Sequence, residues 1–211
     1  MQTARRGRGR PPGGEASQTR ERIVCAAIDV FSELGYEAAT LQAIADRAEL
    51  TRPAINHYFS NKRLLYAEVL QRMTAVVVTE GAQRARNASP TLAARIGAFI
   101  DSAVQVDRDD SSAAAFMVTA VLDSRRHPEL RQLAGDPLEG TRQFLSWAVD
   151  DAIASGELAA DTDAEAVIEM LVALLWGLGF YAGFVGDHHQ LERITGQLGR
   201  LLEIRPWERR S

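Results

Sequence analysis

An all-α fold in two helical domains follows from three observations on the chain. Apolar residues recur every three or four positions, Gly, Pro and Asn separate the periodic segments, and no stretch alternates apolar with polar residues as a half-buried strand does. The segments divide into an arm over 1–18, a group of short helices over 19–66 and longer helices over 67–211. A chain of 211 residues, 46% hydrophobic and 25% charged, carries enough apolar material for a full core in one or two domains.

The arm, MQTARRGRGRPPGGEASQ, is rich in Gly, Pro and Arg and lacks periodicity, which predicts disorder in the free protein. Arg8-Gly9-Arg10-Pro11 resembles the core of an AT-hook, in which Arg8 and Arg10 would enter a narrow A·T-rich minor groove. A solubilising basic tail is the other reading, and the two stand about equal. The first helix, ERIVCAAIDVFSELG, follows. Its single cysteine, Cys25, excludes an intrachain disulfide and, among Ile23, Val24, Ala27 and Ile28, is expected to be a small buried hydrophobe.

Thr40 to Lys62, TLQAIADRAELTRPAINHYFSNK, reads as two short helices joined by a tight turn, the layout of a helix-turn-helix DNA reader. Thr40 caps the first, and Leu41, Ile44 and Ala45 form its narrow apolar face. Ala48-Glu49-Leu50 makes the turn. Thr51 caps the second helix, Pro53 sits in its first turn, and Ile55 and Phe59 dock it on the core. Its other face presents Arg52, Ala54, Asn56, His57 and Tyr58. Arg forks onto guanine O6 and N7, Asn onto adenine N6 and N7, and an Ala or Thr methyl meets a thymine methyl. Arg52 and Thr51, then Asn56, His57 and Ala54, are therefore expected at bases, and Thr40, Tyr58 and Lys62 at phosphates. Lys62 also lies where the N–H groups of a helix start attract anions.

Charge agrees with this division. Residues 1–66 carry ten Arg or Lys against seven acids, whereas the whole chain is at −4. A basic head on an acidic body orients the molecule on DNA, and the affinity should fall steeply with salt.

The body is expected to begin with one connecting helix from Asn61 to about Arg86, broken at Asn87 to Pro90. Helices at about Thr91 to Val106, Ser112 to Ser124, Pro137 to Ala154, Thr162 to Val185 and His188 to Ile204 follow, with Gly156 and Gly186 as stops. Met170 to Val185 is apolar on all sides. Glu169 and Asp187 bracket only about seventeen residues with acidic flanks, so a helix buried on both faces is favoured over a membrane span. One of those faces would meet a second subunit.

From Thr19 to about Leu70 the chain resembles the DNA-binding domain of the TetR (tetracycline-repressor-like) family of bacterial regulators. The likeness rests on ERIVCAAIDVFSELG, Tyr36, Thr40, LQAIADRAEL and TRPAINHYFSNKRLLYAEVL. The chain departs from it at Glu49, where the family usually has Gly, and at Asn56, where many members have Tyr. A non-Gly residue held at positive φ costs on the order of 1 kcal/mol.

The resemblance implies a homodimer with a four-helix interface, drawing here on Gly179, Gly183, Leu191, Ile194, Leu198 and Leu201. It also implies an effector pocket, for which Phe99, Phe116, Met117, Phe144, Trp147, Trp176, Phe180 and Tyr181 are candidate walls. Such a set suits a small apolar or aromatic ligand. The implied function is a cytoplasmic, ligand-responsive repressor on a double-stranded operator, with no cofactor. A sequence-tolerant architectural DNA binder, or a ligand binder that has lost DNA control, are the alternatives; Glu49 slightly favours the last. Asp109-Asp110 and Asp161 to Glu165 read as solvated helix ends, and Asp187 before His188-His189 as a helix start. No metal-ligand spacing, local catalytic signature or phosphate-cradling glycine loop appears, which argues against an enzyme.

Overall fold

The computed structural model describes residues 12–109 and 112–203, and among these every regular element is helical. Helix α1 (Pro12–Ala38) packs against α2 (Leu41–Arg47), which leads through a turn to α3 (Arg52–Tyr58). Helix α4 (Lys62–Thr74), a π-helical turn (Ala75–Thr79) and α5 (Glu80–Arg86) run on without a break. The body is completed by α6 (Leu92–Asp109), α7 (Ser112–Arg126), α8 (Pro128–Ala134), α9 (Glu139–Ala154), α10 (Ala164–Phe184) and α11 (His188–Glu203).

Several expectations are corrected. Helix α1 already begins at Pro12, so the arm is shorter than 1–18; Arg8 and Arg10 lie outside the described residues. Proline suits a first helical position because its missing N–H would have no intrahelical partner there. At the other end, Gly35 (φ 71, ψ 172) breaks α1, a backbone state that only glycine adopts without strain. Cys25 is exposed, because it shares the outer face of α1 with Glu21 and Asp29 while Val24, Ile28 and Phe31 face the core. The connecting helix is continuous as expected but widens to a π-helical turn at its run of β-branched residues, Val76-Val77-Val78-Thr79, which crowd the preceding turn of an α-helix. Helix α8 was not expected; His127-Pro128 starts it, and only Leu130 on it is buried.

One apolar core joins both parts of the chain. Ile23, Phe31, Ile44, Ile55 and Leu65 continue without a gap into Phe116, Leu145 and Val149 of the body. Phe31, Tyr66 and Phe116 meet at the junction, with ring centroids 4.9 to 6.4 Å apart.

Helix α10 is long and apolar enough to cross a membrane, yet it is not buried on both faces within the chain, as only Leu171 and Val172 on it are buried. One side packs on α7, α9 and α11, while Met170, Phe180, Phe184 and Val185 are each more than half exposed.

Candidate nucleic-acid interface and ligand cavity

The reader is built by caps. The Thr40 hydroxyl accepts from the Ala43 N–H at 3.0 Å, Thr51 from Ala54 at 3.3 Å, and the Asn61 side chain from Leu64 at 2.9 Å, so each of the three helix starts has a donor satisfied. Both threonine hydroxyls keep their O–H as a donor beyond the cap. The turn closes through the Leu50 N–H on the Ala45 carbonyl at 2.9 Å, with Glu49 at φ 52. The strained left-handed residue expected from the missing glycine is therefore present.

Two arginines hold this turn. The Arg22 guanidinium donates to the Ala48 carbonyl at 2.6 Å, and Arg47 forks onto Glu33 at 2.7 and 2.9 Å with Asp29 at 3.3 Å. Arg47's hydrogen bonds hold the Glu33 carboxyl below its ordinary range. Their partners are far away in sequence, so no local pattern reveals them.

Ile55 and Phe59 are buried and dock α3, which turns Arg52, Asn56 and His57 outward with Ala54 and Tyr58 half-buried beside them. The His57 and Tyr58 rings meet edge to face at 5.2 Å.

Lys62 is placed differently from expectation. Its ammonium donates to the carbonyls of Tyr36, Glu37 and Ala39 at 2.6, 3.0 and 2.9 Å and lies over the Tyr36 ring. All three donors are thereby used, and desolvation pulls its pKa below the ordinary lysine value against the opposing pull of Glu37 and Asp123. Among the described residues of the reader, Arg52 and Arg63 are exposed and make no hydrogen bond or ion pair with the chain. Arg63 lies beside Lys62 in the first turn of α4.

The body holds a cavity of about 100 Å³ between the π-helical turn, α6, α7, α9, α10 and α11. Phe99, Met117 and Trp176 of the expected wall line it, together with Val77, Val104, Val118, Leu178 and Ala182. Among the described residues, Thr141 and Thr195 are its polar side chains and none that lines it is charged. The other expected wall residues lie elsewhere. Phe116 is spent on Phe31 and Tyr66 at the junction, and Phe144 stacks on Phe99 at 4.6 Å. Trp147 lies under Arg95 and Arg86, Phe180 faces outward beside Phe184, and the Tyr181 hydroxyl bonds Gln190 at 3.0 Å.

The expected interface set is also redistributed. A Cβ on Gly183 would stand 2.6 Å from the Ala115 nitrogen, so this glycine serves the close approach of α10 to α7 within the chain, whereas one on Gly179 would make ordinary contact with Val118 at 3.5 Å. Leu191 is buried and lines the cavity; Ile194 and Leu198 are half-buried, and Leu201 is exposed. Met170, Phe180, Phe184 and Val185 face outward, a side that a segment apolar all round does not show in the sequence. Among the described residues no group of His, Cys, Asp and Glu is arranged to hold a metal ion.

Comparison with known proteins matches both parts of the molecule. Residues 23–69 match the bacterial regulatory proteins of the tetR family, and residues 92–198 the tetracyclin repressor-like C-terminal domain. The HTH-type transcriptional activator FasR of Mycolicibacterium smegmatis is 36% identical over 107 residues, 46% of this chain and 49% of that protein. The alignment thus spans about half of FasR. The HTH-type transcriptional regulator UidR of Escherichia coli is 24% identical over 166 residues, 78% of this chain and 81% of its own. The crystal structure of FadR from Bacillus subtilis in complex with stearoyl-CoA superposes with a TM-score of 0.70 at 20% identity, covering 86% of this chain and 96% of that one. With the capped reader in front and a matching helical domain behind it, the chain belongs to the TetR family of DNA-binding transcriptional regulators.

Proposed function

We propose that this regulator acts in the cytoplasm as a homodimeric repressor that holds a near-palindromic operator and leaves it when a small, uncharged apolar or aromatic molecule fills the cavity. The outward face of α3, with Arg52 unpaired beside Asn56 and His57, is the observation that carries the DNA reading. Arg52, Thr51, Asn56, His57 and Ala54 meet bases, while Thr40, Tyr58, Arg63 and the backbone N–H groups at the start of α4 meet phosphates.

Dimerisation is supported by the exposed apolar side of α10 and α11, where Met170, Phe180, Phe184, Val185 and Leu201 are each 51% exposed or more. A dimer is what presents two readers roughly 34–36 Å apart, or a multiple, to successive major grooves. The ligand class is read from a cavity wall whose described residues carry no charge. A coenzyme A thioester, as in the FadR complex, carries phosphates for which the described residues of this wall offer no cation. Ligand release of DNA requires that the ligand bind the non-fitting arrangement of the dimer more tightly.

The reading is tested by incubating the protein with fragments of its own genome at physiological salt and sequencing what is retained. A few sites sharing one near-palindrome support it. Diffuse A·T-rich recovery would instead indicate an architectural binder, and no recovery a protein without DNA control. FasR is named an activator, so a reporter placed behind the recovered site decides the sign of control.

A further inference from the structure

The reader is tied to the body by a buried carboxylate as well as by the chain itself. Asp123 on α7 is 3% exposed, and its Oδ2 accepts from the backbone N–H of Tyr36 at 3.0 Å and from the Tyr66 hydroxyl at 3.2 Å. Three elements meet at this one oxygen: the broken end of α1 just past Gly35, helix α4, and α7 of the body. Burial, followed by the charge of Asp123, pushes the Tyr66 hydroxyl well above its ordinary pKa, so it stays a donor. Lys62, on the carbonyls of Tyr36, Glu37 and Ala39, supplies the positive charge that Asp123 feels.

The other links across this junction constrain direction less. The rings of Phe31, Tyr66 and Phe116 pack without fixing an angle, and the pair of His127 with Glu37 at 3.3 Å engages an exposed carboxylate. Arg20 with Glu68 and Arg72 with Glu21 join α1 to α4 and leave α7 untouched. The pair of hydrogen bonds on Asp123 is thus a directional contact between reader and α7, and its loss would leave a part-buried N–H and a buried O–H without this acceptor.

We propose that Asp123 is a positioning residue that fixes the angle of the DNA reader on the body and thereby sets the half-site spacing that the dimer accepts. The inference rests on the two-reader reading given above. One base pair added between half-sites turns the second by roughly 35° about the DNA axis, at 10–10.5 base pairs a turn. A stiffly held reader rejects that rotation; a loosened one follows it.

The test uses the full chain and the operator recovered from the genomic selection, intact or with one base pair added or removed between half-sites. Wild type should bind the altered operators more weakly by on the order of tenfold. Asp123→Ala should bind the intact operator nearly as well and lose less than about threefold on the altered ones. Asp123→Asn keeps a side-chain oxygen that accepts from both the Tyr36 N–H and the Tyr66 hydroxyl and should restore the discrimination. Wild-type discrimination in Asp123→Ala, or an equal loss on all three operators, would overturn the role. If Asp123→Ala does not fold, Tyr66→Phe removes one of the two hydrogen bonds while keeping the ring, and unchanged discrimination there has the same force. A wild-type protein indifferent to spacing refutes the two-reader reading before any substitution is made, and the role of Asp123 with it.

Discussion

The Lys62 ammonium stands 2.6 Å from the Tyr36 carbonyl and 4.4 Å from the centre of the Tyr36 ring, closing the end of the first helix where Gly35 breaks it. A cation at a helix C-terminus meets carbonyls that lack intrahelical partners and the negative end of the macrodipole. Lys62→Ala should therefore lower folding stability by about 1–3 kcal/mol in urea unfolding. Its effect on the salt dependence of DNA binding should be small; a slope reduced by a full unit would put the ammonium on a phosphate instead.

Arg52 and Arg63 are expected to separate base reading from phosphate holding. Arg52→Ala should cost about 1–3 kcal/mol on the true operator and relax one base position. Arg63→Ala should weaken all sequences alike and reduce the salt slope by about 1. Binding titrations at several salt concentrations on operator and scrambled DNA distinguish them, and identical profiles for the two variants would contradict the assignment.

Glu49 at φ 52 is a strained residue in an otherwise relaxed turn. Glu49→Gly should raise stability by up to about 1 kcal/mol, the relief of the left-handed penalty reduced by the extra freedom of glycine in the unfolded chain. Thermal unfolding measures it, and a fall in midpoint would show that the Glu49 side chain stabilises the turn in some other way.

Helix α10 has two sides with opposite tolerance. Phe184→Glu, on the exposed face, should leave the chain folded but monomeric by sedimentation and weaken operator binding. Gly183→Val should destabilise the fold itself, because backbone atoms of Ala115 occupy the space its side chain needs. A dimeric Phe184→Glu protein would move the interface away from this face.

Glu21 gives a pH dependence whose sign follows from its partner. Hydrogen bonds from Arg72 hold its carboxyl below the ordinary value of 4.5. The unfolded chain then takes up the proton first as pH falls, so the stability from this pair is full above about 4.5 and is lost as pH drops through the lower folded value. Glu21→Gln should flatten the acid limb of stability against pH slightly, since the pair is half exposed and screened.

Much of the reader was legible because its signals are local. Thr40, Thr51 and Pro53 mark helix starts within three or four residues of what they cap, and Ile55 and Phe59 lie one turn apart. The same logic fails for Arg22, Arg47 and Lys62, whose partners are 14 to 26 residues away. It fails again for the cavity wall, where Phe99, Met117 and Trp176 share a space with small residues that no aromatic count would select.

The sequence by itself determined the all-α class, the capped helix pair and the polar face offered to DNA, since caps, periodicity and turn residues act over one or two helical turns. Tertiary structure alone decided which cations remain free, which side of α10 is covered, and that Asp123 is buried against Tyr36 and Tyr66. Those outcomes depend on desolvation and on partners far apart in the chain, quantities that exist only once the helices have packed.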